Sequence, residues 1–112
     1  MTPRIDSTSL YGTLNLLVLS AVSSGPLHGL AIMRRIVDGS EEAVQVEEGA
    51  LYPSLHRLER DGLLEAEWGR TEQNRRARFY TLTTRGRKQL ERERARWIRH
   101  TDVVTRLIRE EG

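Results

Sequence analysis

Residues 51–60 read Leu51-Tyr52-Pro53-Ser54-Leu55-His56-Arg57-Leu58-Glu59-Arg60. Leu51, Leu55 and Leu58 stand at i, i+4 and i+7, the spacing that lines one face of an α-helix. The pattern predicts a helix over roughly Glu47 to Asp61, closed by Gly62 at its carboxyl end. With the three leucines inward, Gly49, Pro53, His56 and Arg60 point outward, flanked by Tyr52 and Arg57. That face can donate hydrogen bonds, carries positive charge and has one aromatic ring. Pro53 removes one backbone hydrogen bond and presses on the carbonyl four residues earlier, at Gly49. A bend or a loosened first turn is therefore expected there.

Two helices are predicted upstream. The first runs from about Ser9 to Ser23, with Leu10, Leu14, Leu17 and Ala21 on one face and Leu16, Val18 and Leu19 extending it around the cylinder. A helix apolar almost all round is a buried one. Ser24-Gly25-Pro26 ends it. The second begins near Leu27 or His28, with Leu30, Met33, Ile36 and Val37 inside and Arg34 and Arg35 outside. Asp38-Gly39-Ser40 closes it, and an acidic connection, Glu41 to Gln45, follows. His28 reads as a helix-start residue whose ring packs or caps locally.

Downstream, Leu63 to Trp68 reads as a short strand and Gly69 to Arg75 as a polar turn. Arg76 to Leu82 reads as a second strand, rich in aromatic and branched residues. Together they form a β-hairpin whose tip carries Arg70, Asn74, Arg75, Arg76 and Arg78, opposed by Glu72. Trp68, ending the first strand, is assigned to core packing. Thr83 or Thr84 then caps a long helix reaching almost to Glu110. Leu90, Trp97 and Val104 lie seven apart on it, with Ile98, Leu107 and Ile108 on adjoining rows. This narrow stripe on a charged helix calls for a partner, and a second copy of the chain is the expected one.

Helix, helix, helix, hairpin, helix is the order of a winged helix: mainly α, with a small β-hairpin. The expected division is 1–83 as the winged-helix domain and 84–112 as a dimerisation helix. A chain of 112 residues suffices for one small domain and one appended element. Net charge is only +2, yet seventeen of the eighteen basic residues are arginine, whose planar fork matches phosphate oxygens. Two basic elements suit a duplex: the helix enters a groove and the hairpin grips the flanking backbone. Glu41, Glu42, Glu47 and Glu48 oppose this; the last two complement the dipole at the helix start.

Other function classes find little footing. Without cysteine there is no disulfide framework and no thiolate metal site. His28, His56 and His100 lack the spacing that places two metal ligands on one helix face. Ser54 and His56 are two apart and do not face each other, and no phosphate loop or nucleophile elbow is present. No enzyme, cofactor or metal is expected. The longest apolar stretch, Leu14 to Val22, is too short to span a bilayer and no signal peptide opens the chain, so the expected location is the cytoplasm. A protein-interaction module that dimerises without binding DNA remains the rival reading.

The chain also resembles the PadR family of bacterial transcriptional regulators. The matching pieces are Gly12-Thr13-Leu14 with Leu16 to Leu19, Gly25-Pro26-Leu27-His28-Gly29, Glu48 to Glu59, Gly62-Leu63-Leu64, Trp68, Arg76 to Thr83, and Gly86 with Leu90. The resemblance covers nearly the whole chain and is nearest to the short branch with one carboxyl-terminal helix. It implies a winged-helix domain, a homodimer built largely through the last helix, and repression of a neighbouring gene. It implies that Tyr52 and its neighbours meet double-stranded DNA, as Gly49, Pro53, His56, Arg57 and Arg60 on the same helix are placed to do. It implies that the wing, with Arg70, Asn74, Arg75 and Arg76, touches the backbone or minor groove. Some members bind flat aromatic compounds between subunits, which makes Trp97 a candidate platform for a small aromatic effector as well as a dimer-core residue. The family often has an aromatic where Leu30 stands here.

Overall fold

The computed structural model describes residues 13–109. Ser9, Leu10, Gly12 and Glu110, which enter the sequence reading, lie outside them. Four helices and three short strands follow in order: α1 (Leu14–Ala21), β1 (Leu27–His28), α2 (Gly29–Gly39), α3 (Glu48–Arg60), β2 (Leu64–Arg70), β3 (Arg76–Leu82) and α4 (Thr84–Ile108). The strands form one antiparallel sheet in the order β1-β3-β2.

The core sits where α1, α2 and α3 meet the root of the sheet. Leu51 and Leu55 on α3 are fully buried and Leu58 nearly so, as their spacing requires. They pack in one cluster with Val18, Leu19, Ile32, Leu64, Tyr80 and Leu90. Each such side chain contributes about 1.5–3 kcal/mol through removal from water. Ser54, on the same inner face, is buried and its hydroxyl donates to the Asn15 side-chain carbonyl on α1 at 2.5 Å. The hydroxyl is thus satisfied inside the core.

The end of α3 shows why Gly62 stands there. Its φ of +78° is a conformation that glycine adopts at little cost. It lets the Gly62 amide donate to the Glu59 carbonyl at 3.0 Å and the Leu63 amide to the Leu58 carbonyl at 2.9 Å, a Schellman closure. Thr83 joins this corner to α4. Its hydroxyl donates to the Gly62 carbonyl at 2.7 Å and accepts from the Gly86 amide at 2.9 Å, capping α4. At buried Gly86, a Cβ would come within 2.0 Å of the Leu63 carbonyl oxygen. Only glycine allows α4 to cross the chain this closely.

Several expectations need correction. Leu27 and His28 do not begin α2; they form β1, paired with Tyr80 and Phe79 of β3. The hairpin is therefore a three-stranded sheet. His28 is the N-cap of α2: its Nδ1 accepts from the Ala31 amide at 3.4 Å, and its ring meets Phe79 edge-on at 5.3 Å. The inner face of α2 is Gly29, Ile32 and Ile36, while Leu30 is 48% exposed. The helix is rotated from the expected phase, with Gly29 against the Tyr52 ring and Ile32 in the core. β2 continues through Gly69 to Arg70, shortening the turn. α1 stops at Ala21 rather than Ser23. The first turn of α3 is formed, with the Leu51 amide donating to the Glu47 carbonyl at 2.9 Å, and the helix continues through Pro53. Leu90 is buried within the chain's own core, so the unpartnered stripe on α4 starts further along, at Trp97.

Candidate nucleic-acid interface

α3 presents one outer face. Gly49, Pro53, His56, Arg57 and Arg60 are exposed along it, while Tyr52 is half-buried. The Tyr52 ring lies back against the first residue of α2. A Cβ at Gly29 would stand 2.6 Å from the Tyr52 hydroxyl oxygen and 2.8 Å from Cε1. Gly29 is what leaves the ring room. Arg57 and Arg60 lie in the last turn of α3, where cations favour the helix dipole, and Glu48 lies in the first, where an anion does. Arg60 also sits 3.6 Å from Asp61, but both side chains are largely exposed, so this pair is weak.

The sheet supplies the second element by simple alternation. One face of the β2–β3 ladder carries Leu64, Ala66, Trp68 and Arg70 opposite Leu82, Tyr80, Arg78 and Arg76. At the root this face is core: Leu64 and Tyr80 are 2% and 3% exposed. Towards the tip the helical layer ends, and the same face becomes cationic and open. Trp68 is 59% exposed, so its assignment to core packing is overturned. Its ring instead underlies the Arg76 guanidinium, 4.5 Å away, a cation–π contact that restrains a long side chain.

The turn between the strands is tightly built. The Thr71 amide donates to the Arg75 carbonyl and the Asn74 amide to the Thr71 carbonyl, both at 2.8 Å. Asn74 has φ +62°, the left-handed position that closes a three-residue hairpin loop and that asparagine tolerates. Arg70 Nη1 donates to the Asn74 carbonyl at 3.2 Å. Arg70 and Asn74, both singled out as contact residues, thus also shape the turn, and they are exposed like Arg75 and Arg76.

Between these elements lies an open cleft of about 680 Å³. It is lined by Tyr52 and His56 of α3, by Trp68, Arg75, Arg76 and Arg78 of the wing, and by Leu30 and Arg34 of α2. Of the predicted residues it gathers Tyr52, His56, Arg75 and Arg76. Gly49, Pro53, Arg57 and Arg60 continue along α3 outside it. Sequence reasoning missed Leu30, Arg34 and Trp68. Arg34 was readable as an outer-face residue of its helix, but nothing local placed it beside the wing.

The burial of Tyr80 at the base of the wing pushes its phenol above the ordinary 10.0, with the nearby Arg78 charge opposing. The group therefore stays neutral and is structural. On α4, Trp97, Ile98, Val103, Val104, Leu107 and Ile108 are between 40% and 77% exposed. Trp97 lies 6.1 Å from the His100 ring. Among the described residues no helix is long and apolar enough to cross a membrane, and no group of three or more His, Asp or Glu is placed to hold a metal ion.

Comparison with known proteins gives a consistent result. Residues 18–92 match the model of the transcriptional regulator PadR-like family. The chain is 36% identical over 77 residues to the transcriptional regulator Rv3488 of Mycobacterium tuberculosis, covering 69% of this chain and 68% of that one. A PadR-like transcriptional regulator from Bacillus cereus superposes with a TM-score of 0.81 at 25% identity, over 94% of this chain and all of the other. The fold is also that of Bacillus subtilis PadR, solved in complex with operator DNA: TM-score 0.62, 22% identity, 70% of this chain and 44% of that one.

Proposed function

The chain belongs to the PadR-like family of transcriptional regulators, and from that premise we propose that it binds operator DNA sequence-specifically as a homodimer and represses transcription. One observation carries this reading. The exposed face of α3 and the cationic end of the wing flank a single open cleft. With α3 in the major groove, the sugar–phosphate strand beside that groove runs through the cleft, and the wing arginines meet it from the other side. His56, Arg57 and Arg60 then reach base edges or phosphates, and Tyr52 the strand between. The Bacillus subtilis relative is solved in complex with operator DNA, which supports operator DNA as the partner here.

The dimer reading rests on the apolar stripe of α4 beyond Leu90. Large side chains exposed in this number on one helix are covered most economically by a second copy. Two-fold symmetry then sets half-sites about 34–36 Å apart, one turn of the duplex. A finer reading concerns Trp97. A flat aromatic compound held between the Trp97 rings of two subunits couples its own binding to operator affinity. Quenching of Trp97 together with altered operator affinity supports that role; quenching alone leaves only adhesion.

The test is selection of bound fragments from genomic DNA, followed by affinity measurement at several salt concentrations. Replacing both Arg75 and Arg76 with alanine is expected to weaken binding to every duplex and to flatten the salt slope by about one to two per half-site. An unchanged slope removes the wing from the interface, and no selected fragment at any salt leaves the interaction-module reading in its place.

A further inference from the structure

The wing arginines are not equivalent. Arg70, Arg75 and Arg76 are all exposed, and Arg70 also donates to a carbonyl of the turn. Arg78 differs from all three. Its Nη2 donates to Glu59 Oε2 at 2.8 Å, and the two side chains are only 35% and 30% exposed. Its Nε is buried without a hydrogen-bond partner. Its guanidinium is flanked by the rings of Tyr80 at 5.9 Å and Trp68 at 6.0 Å.

Position gives this pair its meaning. Glu59 follows the last core leucine of α3, Leu58, and Arg78 lies two residues beyond the core residue Tyr80 on β3. Past Tyr80 the wing has left the apolar core, and a two-stranded ribbon alone is marginal in water. The ion pair is placed at that edge and connects the reading helix directly to the wing strand. The Arg60–Asp61 pair, by contrast, lies within the end of α3 and joins nothing.

We propose that Arg78 is a positioning residue and not a phosphate ligand: the Glu59–Arg78 bridge fixes the separation of wing and α3, so that both reach one duplex together. The inference rests on the DNA-binding reading above. Two consequences follow from electrostatics. The positive charge of Arg78 is neutralised by Glu59, so it adds little to the counterions released on binding. The carboxylate of Glu59 is likewise prevented from standing uncompensated on the face that approaches phosphates.

The experiment uses the full chain and a duplex obtained by selection, with affinity measured by fluorescence anisotropy from low to moderate salt and folding checked by circular dichroism. R78Q is expected to weaken binding about tenfold with the slope of log K against log[salt] unchanged, whereas R76A lowers that slope by about one per half-site. R78E is expected to bind worse still, and the exchanged pair E59R/R78E to recover most of that loss. Should R78E fail to fold, E59Q carries the same distinction. A bridge that positions the wing predicts weaker binding by E59Q, while a phosphate-binding Arg78 predicts tighter binding, because its competitor is gone. The proposal is overturned if R78Q lowers the slope by about one per half-site, if R78Q binds like the parent, or if the exchanged pair stays as weak as R78E. Failure of the parent chain to bind any duplex overturns the functional reading as well, and is seen before any variant is made.

Discussion

Replacing Gly29 with alanine separates the fold from the function. The added Cβ would lie 2.6 Å from the Tyr52 hydroxyl oxygen, 2.8 Å from Cε1 and 2.9 Å from Cζ. Ordinary contact begins near 3.4 Å, so the phenol must retreat by about 0.8 Å, the difference between 3.4 and 2.6 Å. The obstructing atoms are the far end of a half-buried side chain, which tilts towards the open cleft at a cost of about 0.5–1.5 kcal/mol. Alanine in a helix returns up to about 1 kcal/mol relative to glycine. The two nearly cancel, so the melting temperature should move by no more than about 6 °C in either direction. Binding should respond more strongly. A phenol pushed about 0.8 Å into the cleft crowds the strand there and no longer meets it at hydrogen-bonding distance and angle, and loss of a bond to a charged phosphate is worth about 1.5 kcal/mol, or about tenfold in affinity. Anisotropy with the selected duplex should show that loss for Gly29→Ala and a similar one for Tyr52→Phe. The double variant should be no worse than either, since both remove the same contact. Losses that add in the double variant, or full affinity in Gly29→Ala beside a weak Tyr52→Phe, would refute the claim that Gly29 sets the position of Tyr52.

Three further outcomes follow from the packing. Leu55→Ala, at a fully buried site, should cost about 2–5 kcal/mol, read as a lower urea midpoint at unchanged slope. Gly86→Ala must move α4 away from the Leu63 carbonyl by about 1.4 Å, the difference between 3.4 and 2.0 Å, and should cost about 3 kcal/mol; a thermal melt equal to the parent's would contradict the crossing. Leu107→Glu with Ile108→Glu should convert the chain to monomer in sedimentation while leaving its melting cooperative, because both residues are exposed. The raised pKa of Tyr80 contributes stability that is fully present below about pH 10 and is lost as pH rises through the folded value. The fall in melting temperature between pH 9 and 11 should therefore be smaller in Tyr80→Phe.

Much of this architecture is legible in the sequence because its signals are local. Leu51, Leu55 and Leu58 fix the inner face of α3 by spacing, Gly62 marks its closure, and Thr83 marks the cap of α4. What escapes is set by distant partners. Leu27 and His28 are too short a run to show a period, and become a strand only beside Phe79 and Tyr80. Alternation places Trp68 on the same sheet face as Leu64, but cannot say where the helical layer covering that face ends. The interface divides in the same way. The outer face of α3 follows from its inner one, and the cationic wing from composition. The separate duties of Arg70, Asn74, Arg76 and Arg78 come from a turn carbonyl, a left-handed φ, an indole ring and a glutamate nineteen residues away.

On the proposed reading, the outer face of α3 distinguishes one duplex sequence from another. The most direct test of this is the ratio of affinities for the selected duplex and a scrambled one, compared between the parent and a variant carrying His56→Ala and Arg57→Ala. Both residues are exposed, so the variant should fold as the parent does. Lost base contacts worth about 1–3 kcal/mol each should reduce the ratio by at least tenfold, while affinity for the scrambled duplex, held by the wing, falls far less. A ratio that survives intact, or falls only because both affinities drop together, would contradict the claim and move sequence recognition to another part of the molecule.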